Sequence, residues 1–359
     1  MTDILAAGGL QAASPAISAA DAAALLGESY GLTGQLRRLA TEKDDTFHVA
    51  AADGGAYILK IANGAEERET VFLQDAILKH IAARDPGLPV PRCIADRSGQ
   101  TVGLCQAADG SARLVRLLTF LAGTPLETTT TSAPERERIG AALARLRRAT
   151  AGFSHAAEDR VLAWDVQHLP RLAPLLDHVS DPDQRQMLDR GLRRFDAVAA
   201  RVPALRRQVV HNDFSRSNLI VDHAHADFVS GIIDFGDTVR TAIAIDVSTA
   251  MVNQLPSAPE PNMLGAAFDL LRGYLAHADL NHDELSLLPH LITGRIIARA
   301  LISLLRARLF PDNATYILRN TPQGWHQLAW LLAQDPDRLS DRFLALAAAP
   351  PAPAPRPRS

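Results

Sequence analysis

Two polar segments, His211-Asn212-Asp213-Phe214-Ser215-Arg216-Ser217-Asn218 and Asp234-Phe235-Gly236-Asp237, bracket two apolar runs joined by a polar turn. The runs, Leu219–Val221 and Phe228–Ile233, read as a β-hairpin, which leaves little freedom for what flanks it. The second run delivers Asp234 at its end. Asp213 stands five residues ahead of Asn218. A carboxylate there can accept the proton of an acceptor hydroxyl. The amide oxygen of Asn218 and the carboxylate of Asp234 are hard donors suited to magnesium bridging nucleotide phosphates. The chemistry implied is phosphoryl transfer. A turn aspartate at Asp213 and a strand cap at Asn218 explain each residue separately but not the three together. His211 is expected to brace the loop.

Composition removes several other classes of function. A chain of 359 residues suffices for one large core or two lobes, and 47% apolar with 21% charged residues is ordinary for a soluble globular protein. A formal net charge of −3, with no basic stripe interleaved with aromatics, argues against a nucleic-acid partner. Cys93 and Cys105 form neither a CxxC motif nor a disulfide-dense pattern. The start, Met-Thr-Asp-Ile-Leu, lacks the positive residues of a signal peptide, and no apolar run reaches membrane-spanning length. The expectation is a cytoplasmic protein without a membrane partner.

Along the chain, residues 1–17 are alanine-rich and read as a mobile arm. Ser18 and Asp21 resemble a capping box that opens a short helix through about Glu28. Strand-like runs follow at Leu36–Ala40, Phe47–Ala51 and Ala56–Ala62, the last two joined through Asp53-Gly54-Gly55. Glu66 to Ala83 carries apolar residues at helical period. Pro86, Pro89 and Pro91 enforce an extended crossing, strands follow near Gly103–Gln106 and Leu114–Phe120, and Gly123 with Pro125 marks an interlobe hinge. Beyond it the chain reads as helices interrupted only by the 208–237 segment. The expected organisation is an N-terminal nucleotide-binding lobe over 18–120, a C-terminal catalytic and substrate lobe over 121–347, and a disordered proline-rich tail over 348–359.

A β-rich N-terminal lobe, a hinge and a mainly helical C-terminal lobe describe an α+β, bilobal protein-kinase-like fold. The Asp-to-Asn spacing and the following Asp-Phe-Gly are those of the protein-kinase signature. The chain resembles the aminoglycoside phosphotransferase and choline kinase superfamily, and within it the hydroxylysine kinase-like branch. The His-Asn-Asp and Asp-Phe-Gly-Asp elements carry the superfamily resemblance. Leu114 through Gly123, Trp164-Asp165-Val166 and Tyr316 through Trp325 carry the branch, so that roughly residues 34–332 are covered. The resemblance implies phosphorylation of a small-molecule hydroxyl, with ATP or GTP as donor and Mg2+ as cofactor.

On the nucleotide side, Lys60 is the one charged residue of an alternating third strand and the natural contact to phosphates. Its ion-pair partner is expected to be Glu69, with Asp75 as the alternative, because Phe72 stands where the related branch places a glutamate. The loop Thr41–Phe47 contains no glycine; either backbone amides of a tight turn, or Thr46 and Lys43, cradle phosphates, or the loop is an ordinary polar hairpin. The purine is expected against the hinge near Thr119 and Leu121.

On the acceptor side, Asp237 either meets an ammonium or is a solvated turn residue. Arg295, alone on an apolar helix, either makes a structural ion pair or binds a carboxylate. Asp246 is expected to cap a helix, and the resemblance implies that it steadies the catalytic loop. His223, His225 and Asp227 alternate as metal ligands would, but they fall in the expected turn of the hairpin. The leading reading is a kinase for a small amino alcohol or a hydroxylated amino acid similar to 5-hydroxylysine. The alternatives are an aminoglycoside, homoserine or choline phosphotransferase, and a catalytically silent nucleotide-binding regulatory protein on the same scaffold.

Overall fold

The computed structural model describes residues 16–41, 44–107, 110–319 and 321–349. Lys43, residues 1–15 of the expected arm and residues 350–359 of the expected tail lie outside the described residues. Ile17, assigned to the arm from sequence, is instead buried, and its N–H donates to Asp45 Oδ2 at 3.0 Å. Its apolar side chain has a core to join.

That core belongs to a small lobe. Helix α1 (Ala19–Leu25), capped by Ser18, continues as one wider turn to Tyr30 and stops at Gly31. Strands β1 (Gly34–Arg38), β2 (Asp45–Ala51) and β3 (Ala56–Ile61) follow, then helix α2 (Arg68–Arg84) and strands β4 (Cys93–Ile94), β5 (Gly103–Gln106) and β6 (Ala112–Thr119). The sheet order is β1-β2-β3-β6-β4, with β5 also on β6, and every pairing is antiparallel. Alternation decides which face does what. Phe47, Val49, Leu59, Ile61, Val115 and Leu117 pack with Ile17, Ala22 and Leu26 on one face. Ile58 and Lys60 therefore take the other face, towards the interlobe cleft. A slip of one residue in β3 would bury Lys60 and expose Leu59 and Ile61, at about 1.5–3 kcal/mol for each apolar side chain.

The hinge leads into strand β7 (Thr124–Pro125) and helix α3 (Ala133–Thr150). Gly123 has φ 142°. A β-carbon there would stand 2.7 Å from Ile220 Cγ2 and Ser230 Oγ, so the crossing requires glycine. After helix α4 (Pro182–Ala199) come strands β8 (Arg207–Val210), β9 (Leu219–Val221), β10 (Val229–Ile232) and β11 (Val239–Ala242), then helices α5 (Ile243–Val252), α6 (Gly265–Leu275) and α7 (His282–Leu309). Helices α8 (Ala314–Leu318), α9 (Thr321–Ala333) and α10 (Pro336–Ala348) complete the lobe. β9 pairs with β10 and with β7, and β11 pairs with β8.

The expectation that no segment reaches membrane-spanning length needs correction. α7 is long and apolar enough by length and composition, yet 94% of its apolar window is buried inside the protein. Its apolar character serves the core of the large lobe, where α4, α5, α9 and α10 pack around it.

Helices α3 and α6 approach so closely that their backbones meet. A β-carbon at Gly140 would lie 1.9 Å from the Leu270 carbonyl oxygen, and one at Gly273 would lie 1.8 Å from that of Glu137. Gly140→Ala must push the helices apart, and overpacking of this kind costs about 1–3 kcal/mol. A drop of several degrees in Tm is expected by calorimetry; an unchanged Tm would show that the contact is not tight.

Candidate active site

The catalytic-loop segment leaves β8, and the Asp234–Asp237 turn links β10 to β11, so the β8–β11 pair and the β9–β10 hairpin deliver both motifs to one edge. Two non-glycine residues sit in left-handed backbone there, Asn212 at φ 61° and Asp234 at φ 60°. Such conformations persist only where neighbours hold them. For Asn212 the holder is Asp246, whose buried Oδ1 accepts the Asn212 N–H at 2.7 Å. Asp246 lies in the first turn of α5, which begins after Ala242, so it is not the cap expected from sequence; it holds the loop directly. Burial pushes its carboxyl up to about 6, against the pull of His211.

His211 fastens the loop from the other side. Its Nδ1 accepts the Asp213 N–H at 3.2 Å, which leaves Nε2 to carry the proton and donate to the Ile233 carbonyl at 3.0 Å. Arg216 donates to the carbonyls of Leu126 and Thr129 at 2.9 and 2.6 Å.

The Asp213 carboxylate is thereby fixed in the cleft. Asn218 Nδ2 donates to its Oδ2 at 2.6 Å, and Arg295 Nη2 lies 3.3 Å from its Oδ1. Arg295 also donates to the Trp164 carbonyl and lies over the Trp164 ring, 5.6 Å from its centroid. Of the two roles open for Arg295 in the sequence, the structure supplies the ion pair, and the partner is Asp213. Burial pushes the Asp213 carboxyl up to about 7; Arg295 pulls it down, while Asp237 and Asp234 push it further up.

Asp234 is shifted the other way. Lys60 Nζ lies 3.7 Å from its Oδ1 and holds its carboxyl below the usual range, against burial, with help from His211. Lys60 also lies 3.7 Å from Asp44 Oδ2. Glu69, the partner expected from sequence, is exposed on α2 and makes no contact with Lys60. The buried face of α2 runs through Val71, Gln74, Ile77, Leu78 and Ile81, and Glu69 falls outside it. Gln74 instead accepts from the buried Arg116 of β6 at 2.6 Å. Asp75 is committed to Lys79 and Thr101, at 2.8 and 2.9 Å.

One cavity of about 1240 Å³ unites Lys60, Thr46, Thr119, Leu121, Asp213, Asn218, Asp234, Asp237 and Arg295. That is room for a nucleotide and a small acceptor together. The Thr46 hydroxyl is buried without a hydrogen-bond partner among the described residues. The Thr119 hydroxyl accepts the Arg92 N–H at 2.9 Å, and the Thr119 N–H donates to the Arg92 carbonyl at 3.0 Å. With Nδ2 of Asn218 given to Asp213, the amide oxygen is the end left over, and Asp234 keeps an exposed carboxylate oxygen. Two oxygen donors without nitrogen or sulfur suit a hard divalent cation.

The rival histidine constellation is not a metal site. His223 lies between Glu135 and Thr129, at 2.7 and 3.0 Å, and His225 accepts the Asp227 N–H at 3.2 Å. Among the described residues no group of three or more His, Cys, Asp or Glu is placed to hold a metal ion.

Residues that sequence reasoning did not single out complete the site. Arg160 donates to the Gly236 and Thr238 carbonyls and faces the charge of Asp237. Arg116, set between Leu114-Val115 and Leu117-Leu118 in β6, carried the same local signal as Lys60.

Two predictions follow from this geometry. Asp213→Asn is expected to lower turnover about 100- to 10,000-fold with nucleotide affinity kept. In the parent, kcat/KM should fall on the acid side as Asp213 gains its proton, and Arg295→Met, which removes the cation holding that carboxyl down, should move the acid limb to higher pH. A raised acceptor KM with an unmoved limb would place Arg295 on the substrate instead. Separately, Asp234→Ala should weaken metal-dependent nucleotide binding by titration calorimetry, whereas His223→Ala and Glu69→Gln should leave it unchanged. The reverse pattern would relocate the metal.

Residues 35–282 match the phosphotransferase enzyme family. The chain is 24% identical over 343 residues to the hydroxylysine kinase of Mus musculus, covering 89% of this chain and 90% of that one. It is 26% identical over 331 residues to the hydroxylysine kinase of Danio rerio, covering 89% and 92%. Among solved structures, a microcompartment-associated aminopropanol kinase superposes with a TM-score of 0.67 at 19% identity, over 92% of this chain and 98% of that one. An amicoumacin kinase in complex with AMP-PNP, Ca2+ and amicoumacin superposes with a TM-score of 0.60 at 18% identity, over 83% and 92%. With a bilobal kinase-like fold and a matched stretch spanning both lobes, the chain belongs to the phosphotransferase enzyme family and is a kinase that acts on a hydroxyl of a small molecule.

Proposed function

We propose that the acceptor is a small hydroxylated amino acid, 5-hydroxylysine or a close analogue, and that ATP or GTP with Mg2+ is the donor. The observation that carries this reading is the mixed charge of the cavity wall. Asp237 lies beside Asp213 on one side, while α7 lines the cavity with arginines. A zwitterionic acceptor matches such a wall in both signs, whereas a polycationic aminoglycoside calls for a broadly acidic one. The names of the hydroxylysine kinase relatives support the same choice.

In this reading Asp213 takes the proton of the acceptor hydroxyl, with Arg295 and Asn218 fixing its carboxylate in place. Lys60 leaves its bridge to Asp44 and Asp234 for the phosphates. Asn218 and Asp234 would hold magnesium, which when bound would neutralise charge on the phosphates. The silent-scaffold reading has little to support it, because Asp213, Asn218 and Asp234 are all present and mutually placed.

The test is kcat/KM for 5-hydroxylysine, homoserine, choline and an aminoglycoside, each with ATP and with GTP. A preference for 5-hydroxylysine is expected. Preference for choline or the aminoglycoside, neither of which has a carboxylate, would refute the acceptor assignment.

A further inference from the structure

Helix α7 presents Arg295, Arg299, Ser303 and Arg306 to the cavity, at spacings that stack them along one helical face. Arg295 is committed to Asp213 and to the Trp164 carbonyl. Arg299, one turn further on, is different. Its Nη2 donates to Gln327 Oε1 at 3.2 Å, and no carboxylate of the described residues lies within ion-pair distance of it. Gln327 is itself fully enclosed, and its Nε2 donates to the Leu255 and Pro256 carbonyls at 3.4 and 3.1 Å. Those two bonds fix the amide orientation, so that its oxygen faces Arg299.

This arrangement aims a guanidinium without neutralising it. A guanidinium has five N–H donors, and a neutral amide takes one. Arg299 is desolvated, and the neighbouring Arg295 cation adds repulsion; together they lower its pKa to about 10. A cation in that position gains most from an anion entering the cavity, and its planar fork matches a carboxylate.

We propose that Arg299 binds the carboxylate of the amino-acid acceptor, with Gln327 as the residue that positions it. The proposal rests on the acceptor class inferred above and assigns that class its carboxylate contact, which leaves Arg295 to the base.

The test is titration calorimetry on the full chain with Mg2+ and AMP-PNP present. L-Lysine serves as a non-reactive acceptor and cadaverine as the same chain without the carboxylate. The parent should bind lysine more tightly than cadaverine. Arg299→Met should weaken lysine binding about 10- to 100-fold and leave cadaverine unchanged. Gln327→Met, which removes the amide that orients Arg299, should weaken lysine binding in the same direction and leave cadaverine unchanged, with folding checked by thermal melting.

Equal affinity of the parent for the two ligands, binding of neither, or parallel weakening of both in the variants would overturn the proposal. The kinetic panel separates this from the acceptor assignment. If 5-hydroxylysine is turned over with an unchanged KM in Arg299→Met, the acceptor stands and the role of Arg299 falls. If the parent does not phosphorylate it but distinguishes lysine from cadaverine through Arg299, the carboxylate site stands and the acceptor identity falls.

Discussion

Three carboxylates, Asp213, Asp234 and Asp237, converge at one edge of a small sheet, and their mutual repulsion is the constraint that the surrounding structure answers. Each answer comes from a different element. Lys60 of β3 meets Asp234, Arg295 of α7 meets Asp213, and Arg160, ahead of the long 3₁₀ segment Val166–His178, meets Asp237. None of these cations stands near its carboxylate in sequence, so only the assembled fold makes the cluster tolerable. The unequal compensation also separates the two central acids. Asp213 is pushed towards neutrality and Asp234 away from it. A pair of acids driven apart in this way can divide the roles of proton acceptor and fixed negative charge.

What could be read from the sequence was what is local along the chain. Asp213, Asn218 and Asp234 lie within one hairpin unit, and Lys60 sits on a strand whose alternation already assigns it to the opposite face from Leu59 and Ile61. Glu69 shows where that reasoning ends. Helical period identifies α2, but the strip of the helix that turns to the cleft depends on packing against β6, where Arg116 engages Gln74. Arg295 was legible as an anomaly, a cation on an apolar helix. Which of its two readings holds depends on Asp213, 82 residues away. The Arg299–Gln327 pair is beyond local reading for the same reason, since it joins helices α7 and α9.

The same non-locality accounts for α7 as a whole. By composition it resembles a membrane span, yet it carries His290, Arg295 and Arg299 along its length. Buried on nearly every side, it needs apolar residues for the core and can place polar ones only where the cavity or a partner receives them. The interruptions in its apolar run are therefore where the helix meets the cleft or its neighbours, and the two arginines do meet it.

The β9–β10 hairpin is bonded on both flanks to chain arriving from the small lobe. On one side Thr124 and Pro125, just past the hinge, pair with Val221 and Ile220. On the other, the Ile232 N–H donates to the carbonyl of Pro89, in the proline-rich crossing, at 2.8 Å. The two lobes are thus joined at the hairpin that carries both motifs, as well as through Asp85 and Arg145, paired at 2.6 Å. A change in the angle between the lobes would therefore act directly on the chain beside Asn218 and Asp234.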